Sequence, residues 1–231
     1  MSPTIFNDSV AIYSDIHCPL TDWDFLAYAN GHCRKRRIRT LILAGDFLNG
    51  DSVSDYPKKQ ADASLIPEIR TANEAMDELC EQFDDVHFIK GNHDYRYVKK
   101  MGYAGSFVDT MRMLGFDNKN LTIYEDDHIW VEGGYGSTYV CHPTSYSRIP
   151  LTNCRNLTYK TRSHVVAGHC HHSAFGYAPD GKSVLIEAGG FFDMYKTEYI
   201  RASTPYPRWV NGFATIENGK HYLITKQGAV S

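Results

Sequence analysis

The chain has 231 residues and a mass of 26.2 kDa, enough to bury one good-sized core. With 42% hydrophobic and 22% charged residues it is ordinary globular material, which excludes a disordered, collagen-like or low-complexity protein. A net charge of −3 excludes nucleic-acid binding through a global basic field and leaves only a local patch for such a partner.

Val10 to Tyr13 opens the chain as a short apolar run that stops at Ser14-Asp15. Thr40 to Ala44 stops in the same way at Gly45-Asp46, and Val86 to Lys90 at Gly91-Asn92. Short, partly β-branched runs with abrupt polar ends read as buried strands. Between the first two, Thr21 with Asp24 resembles a capping box, and Phe25, Leu26, Ala29 and Cys33 fall on one face of a helix that ends in the basic run Arg34 to Arg37. Between the second and third, Ile69, Ala72, Met76, Leu79, Cys80 and Phe83 give an amphipathic helix over Glu68 to Phe83. Strand, helix, strand, helix, strand implies parallel strands with right-handed crossovers, so the three polar ends share one carboxyl edge.

Beyond Asn92 the pattern changes. Tyr95 to Asn120 is mixed and partly helical. Short strands are then expected over His128 to Glu132, Thr138 to Cys141, His164 to Ala167, Ser183 to Glu187, Gly212 to Ile216 and His221 to Thr225. The last two flank an Asn218-Gly219 hairpin turn. The polar stretch Asn49 to Pro67 is long for a loop and reads as a candidate flap, while the aromatic-rich Phe191 to Trp209 is a candidate cover for the site or for a dimer contact. Neither repeats nor linkers divide the sequence, so residues 1–231 are expected to form one domain. No run approaches about 18 consecutive apolar residues and no basic-then-apolar leader is present, so a soluble, cytoplasmic chain without membrane contact is expected. Cys18, Cys33, Cys80, Cys141, Cys154 and Cys170 form no Cys-x-x-Cys pair and read as free thiols.

The chemistry lies in five short clusters that follow strand-like runs: Asp15-Ile16-His17, Gly45-Asp46, Gly91-Asn92-His93-Asp94, Cys141-His142 and Gly168-His169-Cys170-His171-His172. Singly, each could be a turn or a helix cap. In an extended strand ending, residues two apart point the same way, so Asp15 and His17 can converge, as can His169 and His171. Mixed carboxylate, amide and imidazole donors suit manganese, iron, zinc or cobalt better than calcium. The donors are too many for one open site but suit two ions about 3.5–4 Å apart with a shared carboxylate.

The ordered set resembles the calcineurin-like metallophosphoesterase superfamily, whose pattern runs Asp-x-His, Gly-Asp, Gly-Asn-His-Asp/Glu, His, Gly-His-x-His; the match spans Asp15 to His171. The resemblance implies an α/β fold, a four-layer α-β-β-α sandwich of two mixed sheets flanked by helices. It also implies two divalent ions, with manganese the first choice and iron, zinc, cobalt or nickel as alternatives. Asp15, His17 and His171 would hold the first ion, Asn92, His142 and His169 the second, and Asp46 would bridge them. His93 would touch the phosphate and protonate or stabilise the leaving oxygen, with Asp94 orienting it. Two departures from the family pattern are Asn49 in place of a second Asp after Gly45-Asp46, and Pro143 in place of Gly after His142.

The reaction so implied is metal-assisted hydrolysis of a phosphate ester, a water of lowered pKa attacking in line. Two segments interleave cations and aromatics, Arg96, Tyr97, Lys99, Lys100, Tyr103 and Tyr195, Lys196, Tyr199, Arg201, Tyr206, Arg208, Trp209, a mixture that can stack bases and hold phosphates. They favour a nucleotide or nucleic-acid phosphodiester. A phosphomonoesterase for a small metabolite or phosphoprotein is the second reading, and a non-catalytic scaffold of the same fold the third. His172 reads as an exposed neighbour of a ligand, with a supporting contact behind the ligands or to substrate as the alternative, and His32, His87, His128, His164 and His221 are expected as structural.

Overall fold

The computed structural model describes residues 2–55, 64–134, 136–193, 196 and 209–231. The chain opens with β1 (Thr4–Phe6) and β2 (Ser9–Tyr13). α1 (Trp23–Arg36), β3 (Thr40–Ala44), a single 3-10 turn at Asp51–Val53 and α2 (Leu65–Gln82) come next, followed by β4 (Asp85–Ile89), α3 (Tyr95–Lys100), α4 (Phe107–Met113) and β5 (Leu121–Ile123). The second half runs through β6 (His128–Gly133), β7 (Gly136–Cys141), α5 (Thr152–Thr161), β8 (His164–Ala167), β9 (Ser173–Tyr177), β10 (Val184–Ala188), β11 (Gly212–Glu217), β12 (Lys220–Thr225) and β13 (Gly228–Val230).

Among the described residues these strands make a seven-stranded sheet in the order β13-β12-β11-β2-β3-β4-β5 and a six-stranded sheet in the order β1-β6-β7-β8-β10-β9. Strand alternation explains why two sheets stack and helices cover both. On β2, Val10 and Ile12 face one way, Ala11 and Tyr13 the other; on β3, Ile42 and Ala44 oppose Leu41 and Leu43. The first set meets Ile129, Val140, Val166 and Ile186 of the other sheet in a core between the sheets. The second meets Phe25, Ala29, Ala72, Met76 and Leu79 of α1 and α2. Val165, Ala167 and Leu185 pack under Cys154 and Leu157 of α5 on the outer side of the six-stranded sheet. The result is the expected four layers, α-β-β-α.

β2, β3 and β4 pair in parallel, as expected from the alternating pattern. The hairpin between β11 and β12 turns through Asn218 and Gly219, both at positive φ (50° and 74°), as an Asn-Gly turn requires. The cap of α1 differs from expectation. Asp22 caps it, its side chain accepting from Phe25 N at 3.0 Å, while the Thr21 hydroxyl donates back to Ile16 O at 3.1 Å. α2 begins at Leu65, three residues before the expected Glu68, because the apolar spacing alone carries no signal for its polar first turn. All six cysteines are free. Of the expected flap, residues 56–63 lie outside the described residues, as does most of the segment from Phe191 to Trp209.

Candidate metal centre

Asp15 and His17 follow β2, Asp46 follows β3, Asn92 and His93 follow β4, His142 follows β7, and His169 and His171 follow β8. β7 and β8 are also parallel, so both sheets deliver these residues from carboxyl ends of strands to one edge. The way the pairs converge corrects the sequence expectation. Asp15, His17, Asp46, His169 and His171 all have positive φ, between 52° and 75°, so the chain curls through left-handed conformations instead of running on as extended strand. Such backbone is costly for residues with a Cβ and persists only where surrounding bonds hold it. Here the loops hold one another: Asp15 N donates to Gly45 O (3.1 Å), His17 N to Asp46 O (3.0 Å), His169 N to Asp15 Oδ2 (2.9 Å) and His93 N to Asp46 Oδ1 (2.7 Å). Two glycines permit this closeness. A Cβ at Gly91 would lie 2.0 Å from Asp46 N, and one at Gly168 1.8 Å from Ser14 Oγ, whose hydroxyl donates to Asp15 Oδ2.

Two groups of donors result, Asp15 with His17 and His171, and Asp46 with His142 and His169; within each, one ligand atom per residue lies within 4.8 Å of the others. Asn92 joins the second, its Oδ1 3.1 Å from His142 Nε2. In the first group Asp15 Oδ1 is 2.9 Å from His171 Nε2, and the Nε2 atoms of His17 and His171 are 3.2 Å apart. Asp15 Oδ1 and the Nδ1 atoms of His17 and His171 are buried without a hydrogen-bond partner. Burial of the Asp15 carboxylate oxygen is unfavourable unless something compensates it, and a cation among Asp15 Oδ1 and the two Nε2 atoms does so. In the second group His142 Nδ1 donates to Ala44 O (2.9 Å), which turns Nε2 toward Asp46 Oδ2 at 3.2 Å. That outer hydrogen bond fixes the ring as in other metal sites. Asp46 falls in the second group by this measure. The donor set therefore fits two divalent ions.

The electrostatics agree. Burial disfavours charge on His142, but the Asp46 carboxylate outweighs it and pushes the imidazole up to about 10, so a proton takes the place that suits a cation. Asp15 and Asp46 are likewise buried yet held well below the usual carboxylate range, mainly by His171 and His142 respectively. Burial holds His169 and His171 below their ordinary value.

His93 stands beside the first group, its ring centroid 4.6 Å from that of His17. Its orienting partner is not Asp94. His93 Nδ1 donates to the main-chain oxygen of Asn49 at 2.6 Å, whereas Asp94, fully buried, accepts from Leu48 N (2.8 Å) and Gly91 N (3.2 Å). A backbone carbonyl thus takes the role expected of the carboxylate, and Asp94 fastens the β3 and β4 loops together. Burial lowers His93 to about 3, and burial with the Asp46 charge raises Asp94 to about 7.

Glu68 and Tyr146 carried no usable sequence signal, whereas Phe192 and Trp209 fall in the segment expected as a cover. Glu68 of α2, 4% exposed, accepts from Gly50 N (2.5 Å), Ser52 Oγ (2.9 Å) and Tyr97 Oη (2.8 Å), anchoring the loop that holds His93. Trp209 stands edge-on to His171 (centroids 4.4 Å apart), Phe192 lies 4.9 Å from the same ring, and Tyr146 is edge-on to His169 at 6.3 Å. His172 is not exposed as expected: it is buried and pairs with Glu187 at 2.9 Å. The other histidines have structural partners, His87 with Tyr124 and His221 with Thr138 among them. Among the described residues, no helix is long and apolar enough to cross a membrane.

The sequence profile of the calcineurin-like phosphoesterase family matches residues 9–203. Among solved structures, the chain is similar to YfcE of E. coli, described as a phosphoesterase, with 15% identity over 96% of this chain and 97% of that one and a TM-score of 0.54. It is also similar to Vps29 of Chaetomium thermophilum (10% identity, 97% and 95% covered, TM-score 0.55) and to Vacuolar Protein Sorting 29 of Cryptosporidium parvum (12%, 98% and 96%, 0.52). At these identities the likeness establishes a shared fold. No curated protein matches the sequence.

Proposed function

Since the chain belongs to the calcineurin-like phosphoesterase family, we propose that it is a metal-dependent phosphoesterase that hydrolyses a phosphodiester of nucleotide or nucleic-acid type. The observation that carries this reading is the pair of convergent His and Asp groups, buried except for the half-buried His169, whose converging donor atoms suit cations. Asp15, His17 and His171 would hold one ion, Asn92, His142 and His169 the other, with Asp46 shared. Manganese is the first choice of metal. Two such ions supply Lewis acidity for the phosphoryl oxygens and a water that ionises near neutral pH.

The chain's own residues do the rest. Asp94 and Glu68 fix the loops, so the donors are in place before substrate arrives. His93, anchored through its Nδ1–H, holds an unprotonated Nε2 that accepts from Arg96, and it would serve the leaving oxygen once Nε2 has taken up a proton. Tyr146 and Trp209, edge-on to ligand histidines, offer aromatic surface to a base.

The test is hydrolysis of bis(p-nitrophenyl) phosphate with manganese, beside p-nitrophenyl phosphate, before and after chelation and in Asp46→Asn. The diester is expected to be the better substrate, with activity lost on chelation and reduced at least ~100-fold by the substitution. Activity that survives either treatment overturns the assignment, and preference for the monoester moves it to a phosphomonoesterase.

A further inference from the structure

The structure divides the run of cations and aromatics after β4. Tyr97 is buried against Glu68, Lys99 lies over the Tyr95 ring at 5.8 Å, and Lys100 pairs with Asp55 at 3.7 Å. Arg96 instead turns toward the metal centre. Its Nη2 donates to His93 Nε2 at 2.9 Å and its Nη1 to the Asn49 main-chain oxygen at 3.1 Å. Among the described residues its one carboxylate neighbour is Asp51, at 3.7 Å, too far for a hydrogen bond. Among the described residues two of five guanidinium N–H groups are therefore engaged, both by uncharged acceptors, and the side chain keeps 21% of its surface exposed.

This is an immobilised cation with spare donors. One of its two anchors, Asn49, belongs to the loop that Glu68 grips, so little ordering remains to be done when an anion arrives. Arginine's planar fork suits phosphate oxygens in particular. Arg96 thus stands one hydrogen bond out from the proposed centre, at His93 Nε2, and its spare donors are placed for an anion adjoining the one that the ions would hold.

We propose that Arg96 binds a second phosphate of the substrate, the neighbour of the scissile diester in a nucleotide chain, and thereby selects such substrates over isolated diesters. The proposal rests on the phosphodiesterase reading and deepens it. Asp51 competes for the same guanidinium and moderates its hold.

The test compares the p-nitrophenyl ester of thymidine 5′-phosphate with the same compound carrying a 3′-phosphate, in wild type, Arg96→Ala, Arg96→Lys and Asp51→Asn, with manganese. Wild type is expected to favour the 3′-phosphorylated ester about tenfold or more in kcat/KM, chiefly through KM. Arg96→Ala brings that ratio near one, Arg96→Lys leaves part of it, and Asp51→Asn raises it. A merely structural arginine would give no rise in Asp51→Asn. In parallel, calorimetry on the zinc-loaded protein should find thymidine 3′,5′-bisphosphate bound about tenfold more tightly than thymidine 5′-phosphate by wild type but not by Arg96→Ala. A wild type without the preference, or an Arg96→Ala that keeps it, overturns the proposal. Failure of wild type to hydrolyse either ester removes the phosphodiesterase reading instead, and the calorimetric comparison then decides on Arg96 alone.

Discussion

His221 gives a stability prediction that is independent of the metal centre. It sits on β12, 7% exposed, with Nε2 2.8 Å from the Thr138 hydroxyl and its ring 4.5 Å from that of His164. Burial, and then the charge of His164, lower its pKa from 6.5 to about 4. Between these values the unfolded chain binds the proton more readily than the folded one. Stability from this residue is therefore complete above pH 6.5 and is lost as pH falls toward 4. At about 1.4 kcal/mol per tenfold change in proton affinity, the loss amounts to about 3 kcal/mol. His221→Gln keeps a polar side chain but cannot take up the proton. Urea unfolding of both proteins at pH 7.5, 6, 5 and 4 isolates the effect, provided chelator is present so that metal release does not contribute. Wild type should lose about 3 kcal/mol more than the variant between the two extremes. Parallel pH profiles would refute the reasoning.

Further outcomes follow from the site. His93→Ala should retain both ions, measured by metal content, while kcat falls about 10²–10⁴-fold. Glu68→Ala leaves two buried donors and the half-buried Ser52 hydroxyl without their acceptor and should cost about 3 kcal/mol in urea unfolding, as well as lowering kcat through the loosened Asn49 loop. Gly168→Ala places a methyl 1.8 Å from Ser14 Oγ, so it should weaken binding of the ion at Asp15 at least ~10-fold by metal titration. His172→Ala strands the Glu187 carboxylate in the core and should destabilise the fold by about 3–5 kcal/mol without changing the number of ions bound.

The sequence carries the centre of this fold plainly. β2, β3 and β4 are short apolar runs with sharp polar ends, and their order dictates which edge those ends share. The proposed ligands were legible for the same reason, being polar residues at strand ends, where few other functions explain Asp, Asn and His together. β1, β5, β9 and β13 were not legible. Three of them are three residues long, and β9, Ser173 to Tyr177, has a mixed face without clean alternation. The outer hydrogen bonds escaped because they use main-chain atoms. The Asn49 carbonyl that orients His93, and the amides that hold Asp94, leave no mark in residue types. The left-handed turns at Asp15, His17, His169 and His171 were hidden too, since residues with a Cβ rarely adopt them and no glycine marks those positions. Glu68 marked only the start of the expected helix, and its burial depends on the loop after β3 folding over it.

The most direct test of the account is to strip the protein of metal and titrate manganese back while following diester hydrolysis and bound metal together. Activity should be absent without metal and saturate at two ions per chain. Asp46→Asn, which alters the carboxylate proposed to be shared, should lose both the activity and the tight binding of at least one ion. Hydrolysis by the stripped protein, or full activity with fewer than two ions bound, would contradict it.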